Sequence, residues 1–110
     1  MTDIIKLADN FIGKDDREKL ESFGGHTIAL GRATRWHWDK DKNNNDLFEF
    51  FVGGANEELV ARVKRDRKKD MFIAHDDRDN TIVSGSLEHV MAELDKYFQR
   101  LHSSPPDTSA

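Results

Sequence analysis

The sequence predicts an α+β fold: a four-stranded antiparallel sheet of two β-hairpins, helices packed mainly on one face, in the order α-ββ-α-ββ-α. Three observations predict it. Trp36-His37-Trp38 and Leu47-Phe48-Glu49-Phe50-Phe51-Val52 alternate their side chains about a polar loop, Asp39–Asp46. Met71–His75 and Thr81–Gly85 flank Asp76-Asp77-Arg78-Asp79-Asn80, whose short polar side chains bond nearby backbone and tolerate left-handed geometry. Leu87, Val90, Met91, Leu94, Phe98 and Leu101 recur at the helical period and form the strongest periodic stripe in the chain.

Taken in order, Asp3 to Phe23 has helical composition, with Ile4, Ile5, Leu7, Ala8, Phe11 and Ile12 on one stripe. Gly13 loosens it, because glycine costs about 1 kcal/mol against alanine inside a helix. The spacing therefore predicts two short helices or one kinked one, the second capped by Asp15 and stopped by Gly24-Gly25. Thr27 to Trp38 is expected as a long strand, with Ile28, Leu30, Thr34, Trp36 and Trp38 on one face and a bulge near Gly31 turning Arg32 outward. Pairing Trp36 with Phe50 and Trp38 with Phe48 stacks the large rings.

Ala55 to Lys69 is expected to be a helix. Asn56 is placed to cap it, Glu57 and Glu58 open it, and basic residues close it, as the helix dipole favours. The competing assignment is a third strand, Leu59 to Arg65, folded back on Leu47 to Val52. Ser86 is expected to cap the last helix. A single domain over residues 1–102 is expected, followed by a disordered tail over 103–110, where Ser-Ser-Pro-Pro-Asp-Thr-Ser-Ala has no apolar periodicity.

Composition narrows function by exclusion. With no cysteine there is no disulfide framework, Cys-zinc site or thiol nucleophile. The formal net charge of −4 argues against a dedicated duplex-DNA binder. No leader or apolar run of membrane-spanning length is seen, so a cytoplasmic, membrane-free protein is expected. Phosphate-cradling glycine motifs and a serine elbow are missing. Asp39, Asp41 and Asn43 share the spacing of a calcium loop, but Asn44 stands where that loop needs glycine and Phe50 where it needs glutamate. The histidines show no helical H-x-x-x-H pair. The sequence therefore assigns no catalytic residue, no cofactor and no metal.

Two surfaces remain. The reverse face of the first hairpin carries Arg35, His37, Leu47 and Phe51, an apolar patch flanked by Arg and His and suited to another protein or a homodimer mate. The alternative is a nucleic-acid surface on Arg62, Lys64, Arg65, Lys68 and Lys69, fanned around the solvent side of the expected helix. A third reading centres an enzyme site on His75 and Asp77. The leading expectation is a small non-catalytic protein-binding module of the inhibitor, immunity or mobile-element accessory type.

Overall fold

In the computed structural model, which describes residues 11–102, the first helix (α1, Lys14–Ala29) opens on Asp15 and Asp16, acids that suit the positive end of the helix dipole. Gly13 holds the N-cap position with no side-chain cap, so Asp15 lies one step inside the helix. The helix runs straight through Gly24-Gly25. At Gly24 it meets the sheet so closely that a Cβ would lie 2.6 Å from Trp36 Cδ1 and 3.0 Å from Phe48 Cζ. Glycine is there for close approach. The stop comes at Gly31, at φ +75°, where Gly31 N–H donates to Ile28 O and Arg32 N–H to Thr27 O. This is the paired-bond left-handed cap that frees a helix end from unsatisfied carbonyls.

Five strands follow: β1 (Arg35–Lys40), β2 (Asp46–Val52), β3 (Glu58–Asp66), β4 (Met71–His75) and β5 (Thr81–Gly85). They form one antiparallel meander in the order β1-β2-β3-β4-β5. Short connections force neighbouring strands to be antiparallel. Two of the loops share one chemistry. In Asp41–Asn45 and in Asp76–Asn80 the leading aspartate Oδ1 accepts the N–H groups of the residues two and four further on. Its Oδ2 takes the asparagine side-chain amide in both. The fourth residue is left-handed in each, Asn44 at φ 67° and Asp79 at φ 65°, as a turn followed by a bulge residue requires. Finally Ser86 Oγ accepts His89 N–H at 3.1 Å and caps the last helix (α2, Leu87–His102).

Both helices pack on the same face of the sheet. Phe23 of α1 meets Phe50 edge-on at 5.7 Å, and Phe98 of α2 meets Phe50 at 5.0 Å. Phe48 lies between Trp36 and Trp38 at 5.3 and 4.7 Å. Ala61, Val63, Ala74, Val90 and Leu94 complete a core shielded from solvent. Arg32–Asp95 at 2.6 Å ties the segment after α1 to α2, and Lys19–Glu88 at 3.1 Å ties the first half of α1 to α2. Asp46 clasps the segment before α1. Its carboxylate accepts Ile12 N–H and the Lys40 ammonium, and Arg17 lies 3.5 Å away. Burial raises the Asp46 pKa, but these donors and charges outweigh it and hold the carboxyl below its ordinary value.

The expected four-stranded, three-helix order is overturned. Among the described residues there is one five-stranded sheet and two helices, in the sequence order α-β-β-β-β-β-α. Residues expected as a helix over 55–69 instead enter β3, the central strand, because ladders to β2 and β4 satisfy both of its backbone edges. The competing strand assignment, Leu59 to Arg65, is the one realised. Thr27–Ala29 belong to α1, not to a strand: Thr27 is fully buried and its hydroxyl donates to Phe23 O at 2.8 Å. Arg32 follows the helix cap and binds Asp95, so no bulge turns it out of a strand. The hairpin pairings Trp36 with Phe50 and Trp38 with Phe48 are realised. The helix expected from Asp3 and the tail at 103–110 lie outside the described residues.

Candidate functional site

Strand alternation builds the site. Side chains at alternate positions of a strand point to opposite faces, so the face away from the helices receives its own set. Three rows cross it. At one end Arg35, Phe51 and Leu59 are aligned. At the other lie Asp39, Leu47, Lys64, Ile73 and Ser84. Between them runs a polar row through all five strands, His37, Glu49, Arg62, His75 and Thr81. Among the described residues no helix covers this face.

The central row is partly withdrawn from water. Glu49 is only 3% exposed and His75 6%. Arg62 Nε and Nη2 both lie 2.9 Å from Glu49 Oε2, and Arg62 Nη1 is 4.0 Å from Asp79 Oδ1. A carboxylate this buried needs such a partner, since an unpaired buried charge costs several kcal/mol. His75 Nδ1 lies 3.2 Å from Asp79 Oδ1 and 3.3 Å from Asp76 O. Both are acceptors, so the neutral ring carries its proton on Nδ1. Burial, with Lys64 and Arg62 nearby, lowers the His75 pKa and keeps it neutral, although Asp76 O and Asp79 act the other way.

The residues expected to bind protein all lie on this face, but unequally. Arg35 is exposed, pairs with both Glu57 oxygens at 2.8 Å and stacks its guanidinium 4.4 Å from the Phe51 ring. Phe51 is half-buried beneath it, and His37 is exposed. Leu47 is 7% exposed, so it supports the face rather than lining its outer surface. The five cations of the alternative surface do not share one face. Arg62 is held by Glu49 and Lys64 is on the open face. Arg65 turns to the helix side, over Phe72 at 4.8 Å, and binds Met71 O and Asp70. Lys68 and Lys69 are exposed in the following turn.

Sequence reasoning paired His75 with Asp77; the carboxylate on its ring is that of Asp79. It also missed Glu49 as a site residue, although the pairing it expected sets Glu49 opposite His37. One donor atom from each of His37, Asp39 and Glu49 lies within 4.8 Å of the others. Alternation of His37 and Asp39 on one strand was the available signal, together with the expected pairing of Trp36 with Phe50 and Trp38 with Phe48, which sets Glu49 opposite His37. The calcium-like loop has its own explanation, because Asp41 is used in closing the turn.

A separate open groove of about 810 Å³ lies between α1 and α2, lined by Asp15, Glu18, Phe23, His26, Met91 and Asp95 among others. Compared with protein-family models, curated proteins and solved structures, the chain matches none. No helix among the described residues is long and apolar enough to cross a membrane.

Proposed function

We propose that the protein is a small binding module that engages another protein through the sheet face opposite its helices. The observation carrying this reading is that both helices lie on one side, leaving the other with a rigid aromatic, Phe51, under an arginine, Arg35, beside an exposed His37. Arginine and aromatic side chains held on a stiff support are the usual anchors of protein contacts. The meander supplies the stiff support, and half-buried Phe51 and Leu59 at one end of the face add apolar area without a deep cleft. A second copy of the chain is one form such a partner takes.

The test is capture from a host extract together with the solution mass of the purified chain. Phe51→Asp, folded by circular dichroism, should lose the captured protein, or the dimer if the mass shows one. Glu18→Lys on α1 should keep it. Retention by Phe51→Asp, or loss with Glu18→Lys, refutes the assignment to this face. If labelled RNA or DNA binds at low salt, falls off steeply with salt and is lost in Lys68→Glu, function moves to the basic turn.

A further inference from the structure

We propose that His37, Asp39 and Glu49 form a binding site for a divalent first-row transition metal of the zinc class. It shares His37 with the protein-binding face but does not rest on that reading. His37 and Asp39 alternate along β1, and Glu49 is the register partner of His37 on β2, so all three project from the open face. One ligand atom of each falls within 4.8 Å of the other two. A shell with bonds of about 2.1 Å sets its donors about 3 to 3.4 Å apart. Closing that gap needs only side-chain rotation by the two exposed members, His37 and Asp39.

The second observation is the state of each donor. Glu49 is 3% exposed, yet Arg62 occupies Oε2 alone, and among the described residues Oε1 accepts no hydrogen bond. The carboxylate is thus oriented by a charged hydrogen bond and still has an oxygen to give, the arrangement in which outer partners hold ligating carboxylates. Asp39 uses Oδ1 for Lys40 N–H at 2.8 Å and keeps Oδ2. The His37 ring makes no hydrogen bond among the described residues, so a nitrogen lone pair is available. One imidazole and two carboxylates suit zinc or manganese better than calcium, which takes six to eight oxygens. Three protein donors leave coordination positions open to solvent.

Zinc chloride titrated into the full chain by calorimetry tests this. The expected result is saturable binding of one ion, weakened at least tenfold in His37→Ala and in Asp39→Asn and unchanged in His89→Ala. In nitrogen-detected spectra of the imidazoles, zinc should shift the His37 ring before those of His26, His75 and His89. Both His37 and Asp39 are exposed, so these variants keep the fold, whereas Glu49→Gln would also break the Arg62 ion pair. Absence of binding at millimolar zinc, equal affinity in His37→Ala, or loss of the site in His89→Ala overturns the assignment.

Discussion

Adding one methyl at Gly24 and one at Gly25 should move stability in opposite directions. The two residues are neighbours in α1, and the same substitution to alanine gives each the same helix-propensity gain, about 1 kcal/mol. Only their surroundings differ. A Cβ at Gly24 would lie 2.6 and 2.9 Å from Trp36 Cδ1 and Cγ and 3.0 Å from Phe48 Cζ, whereas at Gly25 nothing lies within 4 Å. Those neighbours are the bodies of rigid rings, and Phe48 is fully buried. Overpacking costs about 1–3 kcal/mol, and three close approaches to unyielding rings put Gly24→Ala near the upper end. Its net loss is then about 2 kcal/mol, a fall of roughly 10 °C in Tm for a domain of this size. Gly25→Ala should gain about 0.5–1 kcal/mol. Urea unfolding followed by far-ultraviolet circular dichroism and tryptophan fluorescence reads both, with equal m-values showing that only stability changed. A Gly24→Ala protein as stable as Gly25→Ala would falsify the packing of α1 across Trp36 and Phe48.

Other perturbations probe the remaining layers. Arg62→Met should cost about 2–3 kcal/mol, because it leaves the Glu49 carboxylate buried without its partner; a loss under 0.5 kcal/mol in urea, a figure typical of surface changes, would mean that water replaces Arg62 freely. His75 titrates below its ordinary value when folded. Its stabilising contribution is therefore complete above its unfolded pKa, about 6.5, and is lost as pH falls from there through the folded pKa. Urea midpoints measured between pH 7.5 and 5 should decline, and His75→Gln should flatten that decline; an equal slope in the variant refutes the assignment. Ser86→Ala should cost about 1 kcal/mol through loss of the α2 cap, measured by the same unfolding curves, and an unchanged midpoint would show that the cap bond contributes nothing.

Local chemistry was legible where it was self-contained. Ser86 announces the start of α2, and the stripe from Leu87 to Phe98 packs where its period says, while Leu101 at its end is exposed. Asp76 to Asn80 closes a hairpin because aspartate binds the backbone within its own turn. Trp36, Trp38, Phe48 and Phe50 sort onto one face through alternation alone. Each of these interactions spans a few residues or one tight turn, so composition suffices to write it.

Other features depended on what the segment meets. Residues 55–69 carry the acid-first, base-last pattern of a helix, yet their middle, Glu58–Asp66, becomes β3 because flanking ladders and a small inner pair, Ala61 and Val63, fill the centre of the sheet. The glycines at 24 and 25 read as a stop, but Gly24 is a contact point and the stop is Gly31. The candidate site shows the same division. Sequence determined that Arg35, His37, Leu47 and Phe51 share one face, a consequence of period-two alternation. The expected pairing of Trp36 with Phe50 and Trp38 with Phe48 already set Glu49 opposite His37, but only the tertiary structure decided that Leu47 is buried and that Arg62 closes on Glu49. Burial, and the choice of β3 as the central strand, arise between separate segments of the chain, and no short-range preference of either segment encodes the other's position.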